Sequence, residues 1–386
     1  MEAGHEYPEI EIFVREKKEK ETAMKTRIRF LLIVILFSLI SPTVVACTSF
    51  ILDNNGFAVF GANFDNRIHE GLLFINKRNV AKTLLDPGTT GEYAEWTSKY
   101  GSVTFNVVGY QFAYAGMNEA GLVISTMALD ITENPAPDER APLETAIWVQ
   151  YQLDNASTTQ EVIASDSVVR IANTTDHYLV SDKTGSSAAI EFIEGKMVVH
   201  TDEAMPVKAL TNNTYEESVS SWEKSRWWMF WRLLEKRFWK SSLIRFETAA
   251  DRVRSFNDNG KDKAVEYAFD TLKKTCDDAE SNPTQWSMVF DTENLKIHFH
   301  TRTNPEVRSI TLTMLDFSCT TPVGMLDIHQ DLSGDISNDF MPYSPEVNLN
   351  HFLRFFEEYG LVDISPEETK ELTEHLESFE CSELKE

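Results

Sequence analysis

The residue best placed to do chemistry in this sequence is Cys47, which follows the small and apolar stretch that ends at Ala46. A cut after Ala46 would leave a thiol and a free α-amino group on the same residue. The thiolate is the reactive form of cysteine. An α-amino group, with a reference pKa of roughly 7.7–8.0, can accept the thiol proton near neutral pH. We therefore predict that Cys47 is a nucleophile that carries its own base.

A hairpin is expected to bring a carboxylate to this cysteine. Asn55-Gly56 separates the apolar runs 49–52 and 57–60, and Asn-Gly is a strong signal for a two-residue hairpin loop. In that register Cys47 lies opposite Phe64, and Asp65 lies one residue beyond the nucleophile. The simpler interpretation is a small buried residue followed by an ordinary turn aspartate.

Residues 1–46 are predicted to be a removed extension. Basic residues at 25, 27 and 29 precede an apolar run from Phe30 to Phe37, and small residues follow it up to Ala46. This pattern is typical of a secretory signal, so we expect a secreted or periplasmic protein. The same junction also resembles a lipoprotein processing site, at which Cys47 would be lipidated, anchored and unable to react.

Composition excludes several classes of function. The chain has 386 residues and a formal charge of −25, which argues against a nucleic-acid partner. The four cysteines are far apart and lack metal-ligand spacing. The chemistry predicted for Cys47 also needs no metal and no cofactor. If Cys47 is free, at most one disulfide can form among Cys276, Cys319 and Cys381.

The order of elements predicts an α+β fold with mostly antiparallel sheets. Short strands occupy the first part of the chain, a helix pair begins near residue 143, and further strands follow between 177 and 201 and between 286 and 315. Thr158 and Glu161 form a capping-box pattern for the second helix. Residues 261–274 have the spacing of an amphipathic helix.

Two further segments are unusual in composition. Residues 222–239 hold five tryptophans among basic residues, which predicts a helix that lies on a membrane interface or covers an active-site mouth, or else a helix with core tryptophans. From Asp327 to the end there are 16 acidic and 3 basic residues, a net charge of −13. We therefore divide the chain into residues 1–46, a catalytic domain at 47–325 and an acidic, mostly helical tail at 326–386.

Several motifs in this order resemble the choloylglycine hydrolase family, which includes bile-salt hydrolases, penicillin V acylases and related linear-amide C–N hydrolases. The matching segments are residues 47–50, 61–65, 116–122, 177–191, 210–212 and 245–246. The resemblance implies an amino-terminal-nucleophile fold, a four-layer αββα sandwich with two antiparallel sheets between helix layers.

The resemblance also implies roles for individual residues. Cys47 matches the nucleophile and Asp65 the carboxylate that holds its amine. Asn212 matches the oxyanion donor, with a backbone N–H near Ala128 as its partner. Arg245 matches the active-site arginine, for which Arg252 is a rival.

Other residues are expected to shape the substrate site. Asn118 is expected to lie in a turn there, and Trp227 and Trp228 in the mouth. Ala62 departs from the family, whose bile-salt hydrolases and penicillin acylases carry an arginine at that position. Lys77 or Arg67 could supply the missing charge.

The resemblance implies a cysteine amidohydrolase that cleaves a linear non-peptide amide through an S-acyl intermediate. The candidate substrates are N-acyl amino acids, N-acyl amines, conjugated bile acids and penicillin V-like amides. One alternative is a lipid-anchored, non-catalytic surface protein acylated at Cys47, and another is an N-acyltransferase that uses the same site. We also expect a homo-oligomer.

Overall fold

The computed structural model describes residues 47–54, 57–84, 94–225, 241–257, 261–277, 282–360 and 365–384. The predicted export signal, Trp227 and Trp228 lie outside these ranges. The first described element is the predicted hairpin, in which Thr48 pairs with Asn63 and Asn54 with Phe57. This register continues to place Cys47 at the level of Phe64, next to Asp65, as the sequence predicts.

Strands make up most of the molecule. They are β1 (Thr48–Asn54), β2 (Phe57–Asp65), β3 (Leu72–Asn76), β4 (Val80–Leu84), β5 (Ala94–Thr97), β6 (Ser102–Asn106), β7 (Ala113–Asn118), β8 (Val123–Ala128), β9 (Ala141–Glu144), β10 (Val169–Ala172), β11 (Asp176–Ser181), β12 (Ser187–Ile193), β13 (Lys196–His200), β14 (Ala209–Leu210), β15 (Thr284–Asp291), β16 (Lys296–Thr301), β17 (Arg308–Thr311), β18 (Gly324–Asp327), β19 (Gly334–Asp335), β20 (Met341–Pro342) and β21 (Glu380–Cys381).

Two large sheets contain most of these strands. Sheet I has the order β14-β1-β2-β15-β16-β17-β19, and sheet II has the order β13-β12-β11-β8-β7-β6-β3-β18-β20. Neighbouring strands are antiparallel, except that β17 and β19 pair in parallel at one edge of sheet I. The catalytic candidate therefore starts a central hairpin of sheet I.

Helices cover the outer face of each sheet. They are α1 (Thr145–Asn155), α2 (Thr159–Ala164), α3 (Tyr215–Ser225), α4 (Ser242–Ser255), α5 (Lys261–Thr275), α6 (Pro345–Glu358) and α7 (Pro366–Glu377). Helices α4 and α5 contact β1, β2 and β15 of sheet I, whereas α1 contacts β7 and β8 of sheet II. In α5 the buried residues Ala264, Ala268 and Leu272 recur every four positions, which gives this helix the apolar face that the sequence predicts.

The inner faces of the two sheets pack on each other through aromatic side chains. Phe105 of sheet II contacts Phe290 and Phe299 of sheet I edge to face, with ring centroids 6.1 and 5.4 Å apart. A second apolar cluster lies between sheet II and α1 and includes Trp148 and Tyr178. Helix, sheet, sheet and helix layers follow one another, and the predicted αββα architecture is confirmed.

The C-terminal segment packs onto this sandwich. Phe352, Phe355 and Phe356 of α6 belong to the main apolar core. Strand β21 pairs with β4, and Cys319 forms a disulfide with Cys381. Among the described residues, no helix is both long enough and apolar enough to span a membrane.

Candidate active site

Cys47 lies immediately before β1, and its side chain is fully buried. Its Sγ lies 4.0 Å from the backbone carbonyl of Asp65. The hydroxyl of Tyr114, which donates to the backbone carbonyl of Asn63 at 3.3 Å, is close enough to the thiol to influence its pKa. Burial and the Asp65 carboxylate raise the pKa of the thiol to about 12, although Tyr114 and Arg245 act in the opposite direction. A thiol in this environment is neutral at pH 7, so it needs a nearby base before it can attack.

Asp65 ends β2 and is fully buried at the same end of sheet I. One carboxylate oxygen accepts a hydrogen bond from the hydroxyl of Thr284 in β15. The other lies 3.5 Å from Nη1 of Arg245. The carboxylate is thereby fixed beside the start of the described chain, where it could hold a positively charged amine.

Arg245 lies in the first turn of α4, and this turn packs against β1. Its Nη1 donates to the backbone carbonyl of Cys47 at 3.2 Å and to the hydroxyl of Thr48 at 3.3 Å. The rival, Arg252, points toward α5 instead, where it donates to Thr271 and Asp270. The structure therefore places Arg245, and not Arg252, at the predicted site.

Asn212 follows β14, the edge strand that pairs with β1. Nη2 of Arg245 donates to its Oδ1 at 3.1 Å, and its own Nδ2 donates to the backbone carbonyl of Ala128 at 3.0 Å. The amide NH₂ group therefore faces the end of β8. Cys47, Asp65, Asn212 and Arg245, which are far apart in sequence, are brought together with Ala128 around one buried thiol.

A buried ion pair supports the segment that carries Asn212. Nε2 of His177 faces the backbone carbonyl of Thr211 at 2.5 Å, and Nδ1 faces the carboxylate of Glu191 at 3.0 Å. Both ring nitrogens of His177 are therefore engaged, one by a backbone carbonyl and one by a carboxylate. Burial raises the pKa of Glu191, but hydrogen bonds from His177 and His200 outweigh it and lower this pKa to about 2.

Asn118 has a structural role. Its Nδ2 donates to the carbonyls of Leu153 and Ala156 at the end of α1, and its Oδ1 accepts from two backbone N–H groups of its own turn. These four bonds satisfy the amide, which leaves no donor for a substrate. Nearby, a Cβ on Gly116 would lie 2.7 Å from a backbone oxygen of β6, which explains the glycine of this motif.

Sequence reasoning missed three residues near the thiol. Tyr114 lies two positions before Gly116, on the same strand β7. The motif at 116–122 could therefore have indicated Tyr114 as a site residue. Thr284 carries no such signal, because its position depends on how β15 pairs with β2. Tyr359 comes from the acidic C-terminal segment, and burial and, to a smaller extent, the neighbouring Cys47 raise its pKa.

The other candidates lie elsewhere or are occupied. Lys77 donates to the carbonyl of Asp316 and to the hydroxyl of Thr321. Trp222 is buried, and its indole N–H donates to Asp251, so this tryptophan of the 222–239 segment is a core residue.

One group of described residues has the spacing of a metal site, namely Cys319, Cys381 and Glu383. The two sulfurs in this group are joined in the disulfide. Neither of them can therefore offer a thiolate ligand to a metal ion.

The chain is similar to hydrolases of known activity. The family model for linear amide C–N hydrolases of the choloylglycine hydrolase family matches residues 47–226. A penicillin V acylase from Pectobacterium atrosepticum is 28% identical over 309 residues, which are 67% of this chain and 80% of that protein.

Solved structures give the same result over most of the sandwich. Penicillin V acylase from Agrobacterium tumefaciens superposes with a TM-score of 0.67 and 25% identity, over 78% of this chain and 98% of that one. A mutant conjugated bile acid hydrolase from Clostridium perfringens shares the fold, with a TM-score of 0.60 and 17% identity over 75% of this chain and 98% of its own.

Proposed function

We propose that this chain, a hydrolase of linear amide C–N bonds that is similar to the choloylglycine hydrolase family, is exported and that Cys47 becomes its first residue and its nucleophile. The observation that carries the proposal is that Asp65 and Arg245 both contact the buried Cys47 and that Arg245 also binds Asn212. The family match also begins at residue 47.

In the proposed reaction the amine of Cys47 takes the thiol proton as the sulfur attacks the amide carbonyl. The amide NH₂ of Asn212 stabilises the oxyanion of the tetrahedral intermediate. As the intermediate collapses, the protonated amine gives its proton to the departing nitrogen, and an acyl group remains on sulfur. Water, activated by the same amine, then releases the acid and restores the thiol.

The raised pKa of the Cys47 thiol supports the proposal that the amine of the same residue acts as the base. An uncleaved chain has a peptide nitrogen at residue 47 and therefore no amine to act as a base. Cleavage after Ala46 would supply both a base and, when it is protonated, a positive charge beside Asp65. The buried site would then stabilise the thiolate that the intact chain disfavours.

Export is supported by the sequence before Cys47 and by the Cys319–Cys381 disulfide, since such bonds persist in oxidising compartments. The burial of Cys47 favours a free thiol over a lipidated one, because a lipid chain needs access to the membrane. The substrates we propose are small linear amides, namely N-acyl amino acids, N-acyl amines, conjugated bile acids or penicillin V-like compounds.

The test combines the mass of the mature amino terminus with hydrolysis of a panel of these amides. We expect a free Cys47 at the first position and activity that Cys47→Ser reduces at least about 10³-fold. Cys276→Ser is the matched control, because Cys276 is the other described cysteine that lies outside the disulfide. A diacylglycerol thioether on Cys47, or a fully active Cys47→Ser, would refute the proposal. Acyl transfer to an added amine in preference to water would instead identify an N-acyltransferase.

A further inference from the structure

The C-terminal helix α6 ends against Asn66, the residue that directly follows Asp65. Tyr359, which caps this helix, exchanges hydrogen bonds with Asn66, at 3.0 Å to Nδ2 and 3.2 Å to Oδ1. Asn66 directly follows Asp65, and its backbone carbonyl accepts from Gln285 of β15. The phenol is thus fixed to the strand end that carries the proposed amine-binding carboxylate.

Tyr359 in turn positions an exposed cation. The guanidinium carbon of Arg67 lies 4.7 Å from the centre of the Tyr359 ring, and Nη2 donates to the backbone carbonyl of Glu358 at 2.8 Å. Within the described ranges, the other N–H groups of this guanidinium donate to no protein atom, and the side chain is exposed. The arginine is held on one side and presents its remaining donors to solvent.

Two other cations that the sequence offered for the site are committed to internal contacts. Arg245 is buried among Cys47, Thr48 and Asn212. Lys77 is bound to the 316–321 segment. Arg67 is therefore the cation of this set whose donors can reach a substrate.

Acidic residues also line this part of the surface. Burial and the neighbouring Glu70 raise the pKa of Glu358. These carboxylates reduce the net positive charge around Arg67. Binding of an anion here therefore depends on the directed N–H groups of the Arg67 guanidinium. A guanidinium suits that task, because its planar set of donors matches the two oxygens of a carboxylate.

We propose that Tyr359 and Arg67 form one wall of the substrate mouth and that Arg67 binds a carboxylate of the amide substrate. This inference rests on the proposed hydrolysis at Cys47 and narrows its substrates to anionic amides. The carboxylate is carried either by the amine half, as in an N-acyl amino acid, or by the acyl half, as in a dicarboxylic monoamide.

Two matched substrate pairs distinguish a carboxylate on the amine half of the substrate from one on the acyl half. In the first pair, phenylacetyl glycine is compared with phenylacetyl glycinamide, which lacks the carboxylate on the amine side. In the second pair, glutaryl p-nitroanilide is compared with valeryl p-nitroanilide, which lacks it on the acyl side. Arg67→Gln should lower kcat/KM about 10-fold for the charged member of one pair, mainly through KM, and leave its neutral member unchanged.

Arg354→Gln is the matched control, because Arg354 is an exposed arginine on α6, the helix that Tyr359 caps. Tyr359→Leu, which removes the ring under the guanidinium, should reproduce part of the Arg67→Gln effect. If both pairs keep their charged-to-neutral ratio in Arg67→Gln, the inference is wrong while the hydrolase stands. If wild type is no more active than Cys47→Ser on all four compounds, the proposed function itself fails, and the inference fails with it.

Discussion

Arg245 donates to Oδ1 of Asn212 at 3.1 Å, and this bond determines which way the asparagine amide faces. A guanidinium has no acceptor, so the amide oxygen must point toward it and the NH₂ group must point away. The NH₂ group lies against the carbonyl of Ala128, at the end of β8. The same arginine that contacts the backbone of Cys47 therefore also aims the proposed oxyanion donor.

Replacing Asn212 with aspartate tests this arrangement with almost no change in shape. Asn212→Asp keeps an oxygen for Arg245 but loses the N–H donor, and its charge would repel an oxyanion. We expect kcat to fall at least about 10²–10³-fold, with a small change in KM. Asn213→Asp, which changes the neighbouring amide, is the control. Equal activity of the two variants would remove Asn212 from the mechanism.

Tyr114 is expected to lower the pKa of the Cys47 thiol. The Tyr114 hydroxyl lowers the pKa of Cys47, so Tyr114→Phe should raise that pKa further. We expect kcat to fall about 10-fold at pH 7 and to recover partly at higher pH, where more thiolate forms. The measurement is the pH profile of kcat. Tyr151→Phe, on the far side of sheet II, should leave the profile unchanged, and an unshifted profile in Tyr114→Phe would contradict the role.

Glu191 is expected to stabilise the fold near Asn212. Glu191→Gln would remove the buried carboxylate that His177, His200 and the backbone N–H of Tyr215 bind, at a cost of about 3–5 kcal/mol near pH 7. Because folding depresses the pKa of Glu191 to about 2, its contribution is full above the unfolded pKa of roughly 4.3 and is lost as pH falls through the folded value.

Thermal unfolding between pH 2 and pH 7 measures this dependence. The gap in Tm between wild type and Glu191→Gln should therefore shrink toward pH 2. Glu194→Gln, an exposed glutamate in the next turn, provides the comparison. A gap that stays constant with pH would show that the carboxylate is not the cause.

Loss of the disulfide should destabilise the C-terminal segment. The bond joins residues 62 positions apart, and a loop of this size is typically worth about 2–4 kcal/mol. The double variant Cys319→Ser/Cys381→Ser should therefore have a lower Tm than wild type. It should also lose the sensitivity of wild-type Tm to a reducing agent. If reduction lowers the Tm of both proteins equally, the bond is not the stabilising element.

The sequence was sufficient for local features and for motifs. The hairpin register follows from Asn55-Gly56, so Asp65 could be placed beside Cys47 from spacing alone. Thr158 caps α2 as predicted, because its capping box is a contact within one turn. Arg245 could be proposed from the family motif, but its choice over Arg252 depends on which face of α4 meets sheet I.

The missed residues depend on contacts between distant segments. Tyr359 reaches the site because apolar residues of α6 pack into the main core, and composition alone showed that segment only as acidic. Thr284 contacts Asp65 through the pairing of β15 with β2. Asn118 lies in the expected turn, but its partners come from α1, and these partners make it structural.

The Cys319–Cys381 bond has a consequence for how the tyrosine at residue 359 is kept in place. A chain end can fray from its last residue inward, whereas a loop tied at both ends cannot. The bond makes the stretch that contains α6 and α7 such a loop, so covalent connectivity as well as packing keeps Tyr359 and Arg67 together. In a reducing environment the segment 319–381 would lose its covalent link at Cys381. The redox state of the surroundings would then change the substrate selectivity.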